Sequence, residues 1–262
     1  MTKPSGIITL LTDFGLSDPF VGIMHGVLLS KRRDFTLIDL THGIEPQNVR
    51  QAAFWIASSY REFPEGTVHM VVVDPGVGSK RRPLIAEIDG HYFVAPDNGV
   101  LTMVVDEAER CDVRYLRLWQ LELSRVSNTF HGRDIFSPAA AELAIGERWM
   151  TELGEDAIET YKRLDVQAPS ENDGRISGQI FMSDHFGNWF TNIPAKMYES
   201  WSTAKVRIGD LQLPLQKTYS DVAPGEVVAL TNSFDRLEIA VNQGCARQAL
   251  PFLVGQTVEI IS

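Results

Sequence analysis

The sequence is poor in cysteine, with Cys111 and Cys245 the two such residues among 262. They lie far apart and provide neither a disulfide framework nor a zinc-ligand spacing, so the expected compartment is a reducing cytoplasm. Basic residues are in deficit: 24 Lys and Arg stand against 34 Asp and Glu, a net charge of -10. Phosphate binding needs a basic face, which argues against a nucleic-acid partner and suits a cationic or zwitterionic small molecule. Long apolar runs are missing too. The run in "GIITLLTDFG" is broken by Thr12 and Asp13, too early for a signal peptide or a membrane span. The six histidines are scattered, with no H-E-x-x-H and no Cys-His pair at ligand spacing, so no metal is expected. "GLSDPF" is not a G-x-S-x-G elbow, and "DPGVGSKRR" has neither phosphate-loop nor dinucleotide-loop spacing. There is no internal repeat and no low-complexity tract.

What remains is an ordinary globular composition, 44% hydrophobic and 22% charged, long enough for one large domain or two modest ones. "GIITLLTDFG", "FTLIDLTHGI" and "TVHMVVVDPG" read as buried strands. "DPFVGIMHGVLLSKR" and "VRQAAFWIASSYREF", which separate them, carry apolar residues at helical spacing. That alternation predicts an α/β unit with a mainly parallel sheet. "PLIAEIDGHYFVAPDNGVLTMVV" adds a hairpin and a short helix. After the polar stretch "LDVQAPSENDG" the texture changes to short strand-like runs divided by turn residues, which predicts a smaller all-β barrel. The predicted organisation is an α/β domain over 1–165, a linker over 166–174 and a β-barrel domain over 175–262.

In parallel sheets ligands bind beyond the carboxyl ends of the strands. Asp13, Thr41, His42 and Asp74 all fall at such ends. In "VVVDPGVGSKRR", Asp74 leaves a strand on a Pro-Gly turn, and Lys80, Arg81 and Arg82 follow closely. The turn is either a solvated charge cluster or a reaction centre in which a carboxylate and a guanidinium hold one small polar species. "NTFHGRDIFSPAAAELA" places His131, Arg133 and Asp134 before an evident helix over 137–144. A histidine there can act as base or proton relay or be purely structural. "SDHFGNWFTNI" sets Asp184 and Asn188 among aromatic residues, suited to a purine edge or to an ordinary hairpin turn.

Seven stretches in order, "LLTDFGLSDPFVGIMHGVL", "DLTHGIEPQNV", "VVVDPGVGSKRRPL", "APDNGVLT", "TFHGRDIFSPAAAELA", "DHFGNWFTNI" and "NSFDRLEIAVNQG", resemble the S-adenosylmethionine hydroxide adenosyltransferases, relatives of the fluorinating and chlorinating enzymes. The likeness runs from about Ile7 to the C-terminus. It implies hydrolysis of S-adenosyl-L-methionine to adenosine and L-methionine, with no cofactor. It also implies a homotrimer whose substrate lies between the first domain of one subunit and the second domain of its neighbour. Asp74, Arg81 and His131 match the set that replaces the halide site. Asp13 matches the acid that grips the ribose diol, Asp18 and Asp184 match acids near the methionine ammonium, and Asn188 matches the amide that reads adenine. The backbone around Asn242 and Gln243 falls where adenine is held by main-chain groups.

The chain departs from the halogenating relatives at several positions. They carry a tyrosine at the position of Asp74, a tryptophan at that of Gln47, and arginines at those of Phe234 and Val241. Ser233 and Arg236 are the candidates to replace those arginines. Gly132 matches the chlorinating branch, yet a carboxylate at position 74 would repel chloride and would readily accept a proton-bearing water. Two other readings stand beside hydrolysis. A chlorinase-like transferase would use halide, and a non-catalytic module binding adenosine or S-adenosylmethionine would have no need of Asp74, Arg81 and His131.

Overall fold

The computed structural model describes residues 2–201 and 203–262. The chain divides between Leu164 and Asp165 into two compact units. Residues 166–174, read from composition as a linker, include a short strand, Ser170–Asn172, paired with the strand that follows.

In the first unit, strands β1 (Ile7–Thr12), β2 (Thr36–Thr41) and β3 (Val68–Val72) are joined through helices α1 (Phe20–Lys31) and α2 (Val49–Ser59). The hairpin β4 (Pro83–Ile88) and β5 (His91–Pro96) follows, then α3 (Thr102–Asp106), β6 (Cys111–Leu116), α4 (Ser137–Ile145), α5 (Met150–Leu153) and β7 (Gly154–Asp156). The sheet order is β2-β1-β3-β5-β4-β6-β7. Strands β2, β1, β3 and β5 run parallel, and β4, β6 and β7 add an antiparallel edge. The β6 and β7 strands have no counterpart in the sequence reading.

Alternation along each strand builds two cores, one on each face of the sheet. In β3, Val68, Met70 and Val72 pack with Met24 and Leu28 of α1 and the alanines of α4. Val71 and Val73 face the other way, onto Ala53 and Ile56 of α2 and Val104 of α3. Local signals set the helix ends. Asn48 caps α2 by accepting from Gln51 N at 3.0 Å, and Gly146 closes α4 with φ 71°.

The second unit carries β8 (Ser170–Asn172), β9 (Arg175–Ser183), β10 (Trp189–Pro194), β11 (Lys205–Ile208), β12 (Leu211–Gln216), β13 (Val227–Thr231), β14 (Arg236–Val241), the short helix α6 (Ala246–Ala249) and β15 (Thr257–Ile261). Strands β9 to β15 close into a seven-stranded barrel in the order β10-β14-β13-β12-β11-β15-β9, completed by the β9–β10 pairing. These are the short strand-like runs that the sequence shows after the polar stretch. Inward residues such as Ile176, Trp189, Leu237, Ile239, Val258 and Ile260 fill its interior. Closure removes the exposed sheet edge that a small β unit would otherwise present. Among the described residues no helix is long and apolar enough to cross a membrane.

One polar cluster lies inside the first unit. His69 is fully buried, its Nδ1 2.8 Å from Thr9 Oγ1 and its Nε2 3.2 Å from His91 Nδ1. Burial, and secondarily the neighbouring His91, push the His69 pKa down from 6.5 to about 3. The folded state therefore keeps His69 neutral while the unfolded chain takes up a proton below pH 6.5. This contribution to stability is complete above that pH and is lost as pH falls from 6.5 toward 3. Between pH 6.5 and 5, before most carboxylates titrate, stability should fall by up to about 1 kcal/mol per pH unit from this group. A His69→Phe variant, placed among Phe63 and Phe93 at ring distances of 5.6 and 5.1 Å, should show a flatter urea-unfolding free energy over that window. An identical pH slope in variant and wild type would count against this role.

Candidate active site

Because β1, β2 and β3 are parallel neighbours, their carboxyl ends deliver side chains to one edge of the first unit. The register sets Leu11 beside Thr41 and Thr12 beside Val72, so the residues just beyond, Asp13, His42 and Asp74, follow from adjacent strands.

Asp74 and Arg81 form a buried ion pair, with side chains 6% and 4% exposed. Arg81 Nε donates to Asp74 Oδ1 at 3.0 Å and to Oδ2 at 2.9 Å, and Nη2 also donates to Oδ2. The same Nη2 lies 2.6 Å from His131 Nδ1. A guanidinium has no acceptor, so His131 Nδ1 must accept and the neutral ring carries its proton on Nε2. One cation thus joins a carboxylate and an imidazole that lie 57 residues apart in the chain. Phe136 backs the arrangement, its ring centroid 5.2 Å from Arg81 Cζ.

The loop that makes this possible is tightly fitted. Val77 N bonds Asp74 O and Ser79 N bonds Gly76 O, which turns the chain so that Arg81 returns to Asp74. Gly78 has φ +77°, and a Cβ there would stand 2.5 Å from Asn128 O, so only glycine lets this loop rest against the 125–131 segment. Asn98 Nδ2 donates to Val73 O at 2.8 Å and fixes the strand end from the other side. Arg82, the next residue, points elsewhere. It pairs with Glu155 and lies 3.8 Å over the Tyr115 ring. Of the three consecutive basic residues, Arg81 is the one bonded to Asp74.

His131 opens a single π-helical turn, Gly132–Phe136, that runs into α4. Such turns carry one more residue than an α-helical turn and recur at functional sites. Asp134 has a structural part in it. It accepts from Arg133 Nε at 2.6 Å and from Ser127 N at 2.8 Å, and the Arg133 bond holds its carboxyl far below the usual range. Gly132 sits among Met24, Phe130 and Phe14, and a Cβ there would stand 3.0 to 3.4 Å from all three.

Asp13 Oδ2 accepts from Gln47 N at 2.8 Å. Gln47 holds φ 66°, a left-handed conformation uncommon for its type, which aims its N–H at Asp13. Asp18 is exposed in the turn before α1. In the second unit Asp184 and Asn188 are bonded to each other. Asp184 Oδ1 accepts from Asn188 N at 2.8 Å and Oδ2 from Asn188 Nδ2 at 3.1 Å. Ser233 and Gln243 are exposed, Gln243 with φ 54°. Arg236 is the first residue of β14, opposite Pro194. Asn242 gives both main-chain groups to the protein, its N to Glu226 O at 3.0 Å and its O to Gly225 N at 2.8 Å.

The sequence reading did not foresee two features. Thr12 and His42 are bonded at 2.8 Å directly behind Asp13. Their only sequence signal is a Thr and a His at the ends of two adjacent strands. Glu238, an outward residue of β14, is buried and accepts from Tyr219 Oη at 2.7 Å. Burial raises its pKa above the usual carboxyl value.

Comparison with known proteins places these residues in a context. The chain matches the SAM hydroxide adenosyltransferase N-terminal domain over residues 8–154 and the corresponding C-terminal domain over 178–259. A Thermus thermophilus protein named (R)-S-adenosyl-L-methionine hydrolase is 33% identical over 268 residues, covering 97% of this chain and 99% of the relative. A protein named fluorinase, from Actinopolyspora mzabensis, is 29% identical over 290 residues, covering 97% of this chain and 96% of the relative. A crystal structure of an uncharacterized conserved protein from Thermotoga maritima superposes with a TM-score of 0.88 at 36% identity, covering 97% of this chain and all of that one.

The state of His131 can be measured directly. Burial and the adjacent Arg81 charge both hold its pKa below 6.5, against an opposing pull from Asp74. An NMR pH titration should give a midpoint below 6.5, and Arg81→Ala should move it upward. A midpoint unmoved or lowered by Arg81→Ala would show that the guanidinium does not control this imidazole.

Proposed function

The chain belongs to the SAM hydroxide adenosyltransferase family, and we propose that it hydrolyses S-adenosyl-L-methionine to adenosine and L-methionine. The observation that carries this reading is the single guanidinium of Arg81, shared between the Asp74 carboxylate and His131 Nδ1 at the carboxyl edge of the sheet.

The chemistry asks little of the protein beyond position. The substrate is a sulfonium, so its leaving group departs as a neutral thioether. Water attacks the ribose C5′, a C–O bond forms as the C–S bond breaks, and the bonding electron pair stays with sulfur. One proton leaves the water. Activation by metal or redox cofactor is not needed for such a leaving group. Holding the water in line and stripped of bulk solvent supplies most of the acceleration.

The donors and acceptors divide this work. Asp74 accepts from Arg81 on both oxygens but keeps lone pairs, so it can accept a hydrogen from the water. His131, with Nδ1 engaged by Arg81, presents Nε2–H as a donor. Arg81 orients both groups and stabilises hydroxide character by charge-assisted hydrogen bonds. Chloride fits poorly, because the Arg81 charge is already matched by Asp74 and a second anion would face the carboxylate. A binding module would gain nothing from a buried ion pair whose desolvation is costly.

The substrate groups follow the same reading. Asp13 takes the ribose diol, and Asp18 and Asp184 take the methionine ammonium. Asn188, its amide nitrogen held by Asp184, offers Oδ1 to the adenine amine. Ser233 serves the amino-acid end, and the Asn242–Gln243 segment serves the adenine. The active form is a homotrimer in which neighbouring subunits complete each other's sites. The two free cysteines suit a reducing cytoplasm.

The test is incubation with S-adenosyl-L-methionine in 18O-labelled water containing chloride. The label should appear at the 5′ oxygen of adenosine, with unlabelled methionine and no 5′-chloro nucleoside, from protein that sediments as a trimer. Label in methionine, a chlorinated product or a fully active monomer would each overturn the corresponding part of the reading.

A further inference from the structure

Asp39, His42 and Thr12 form a carboxylate–imidazole–hydroxyl series. Asp39 Oδ1 lies 3.0 Å from His42 Nε2, and His42 Nδ1 lies 2.8 Å from Thr12 Oγ1. The order is that of a nucleophilic triad, but the exposures rule that role out. Thr12 is 0% exposed, and its hydroxyl oxygen already accepts from Phe14 N at 3.2 Å. No substrate carbon can reach it.

What the series does touch is the turn that carries Asp13. Thr12 Oγ1 accepts from the Phe14 N–H and shares a hydrogen bond with His42 Nδ1, while His42 Nε2, though 3.0 Å from Asp39 Oδ1, forms no hydrogen bond among the described residues. The carbonyl of His42 also accepts from Gly15 N at 2.9 Å. His42 therefore grips the Thr12–Gly15 turn twice, once through its side chain and once through its backbone. Asp13 sits between the two grips. His25 of α1, 2.8 Å from Asp39 Oδ1, ties the outer end of the series to the helix that follows the turn. From the far side Gln47 N–H reaches Asp13 Oδ2 out of a left-handed backbone. A surface carboxylate needs none of these restraints, whereas one that must meet two hydroxyls in fixed geometry does.

We propose that His42, acting through Thr12, is a positioning residue that sets the Asp13 carboxylate for the ribose diol. This rests on the ribose role given to Asp13 above, and the experiment separates the two. Calorimetry on the full-length protein would compare adenosine with 2′-deoxyadenosine, which lacks one of the two hydroxyls. Wild type should prefer adenosine by roughly tenfold or more, the worth of one hydrogen bond to a charged group. Asp13→Asn sets the baseline by removing the charged acceptor.

Thr12→Val, equal in shape but without the hydroxyl, should lower the preference toward that of Asp13→Asn. Thr12→Ser should keep it. His42→Asn, whose amide can stand in for Nδ1, should keep more of it than His42→Gln, and this pair serves if Thr12→Val does not fold. A preference lost in Asp13→Asn but intact in Thr12→Val and His42→Gln overturns the positioning role alone. An equal loss of affinity for both nucleosides in these variants overturns it too, since that is what general loosening of the fold would give. No preference in wild type, or an undiminished one in Asp13→Asn, overturns the ribose role of Asp13 and the proposal with it.

Discussion

The ion pair between Asp74 and Arg81 is the contact on which the rest of the first unit's edge depends. Burying two charges costs several kcal/mol each unless each is met by opposite charge and hydrogen bonds. Here both Asp74 oxygens receive donors, and the remaining reach of the guanidinium goes to His131. The surroundings follow from this requirement. The loop between the partners must double back over seven positions, the neighbouring segment must approach closely enough to exclude a Cβ at Gly78, and Asn98 must hold the strand end. Removing either partner would leave a buried charge, and the site and its local stability would be lost together.

In the proposed reaction the same pair would set the chemistry. A cation already balanced by a carboxylate is a poor trap for a free anion, yet it is a good frame for a neutral water that acquires charge only as it reacts. Stabilisation that grows along the reaction raises turnover rather than ground-state affinity. A neutral His131 belongs to this balance, because a second positive charge beside Arg81 would compete for Asp74.

Much of this was legible in the sequence, for definite reasons. Strands β1 to β3 are mainly apolar runs, interrupted by Thr9, Asp39 and His69, that end in acid or hydroxyl residues, and that pattern places polar groups at one sheet edge. The barrel strands alternate cleanly because one face fills a core, as Leu237, Ile239 and Val241 do in β14. Strands β6 and β7 escaped because "CDVRYL" and "GED" have no strong period and depend on pairing with β4 and with each other. The turn before α4 was located but not its π-helical form, for which the residue types carry no signal. Composition could not choose between Arg81 and Arg82. The choice lies in the loop's path and in Tyr115, a distant residue that takes up Arg82. The bonds behind Asp13 were invisible for the same reason, since Thr12 and His42 lie 30 residues apart and meet only across adjacent strands.

The most direct test of the central claim, that Asp74, Arg81 and His131 act as one unit on the nucleophile, is a double-mutant cycle on kcat. It would use Asp74→Asn, Arg81→Ala and the combined variant, with Arg82→Ala as control and melting temperatures to confirm folding. Arg81→Ala should lower kcat by about a hundredfold or more, in the range of losing one preorganised transition-state donor. Arg82→Ala should stay near wild type, and the double variant should be scarcely slower than Arg81→Ala alone, because groups that work together fail together. Fully additive losses in the double variant, or equal defects from Arg81→Ala and Arg82→Ala, would contradict a shared guanidinium at the reaction centre.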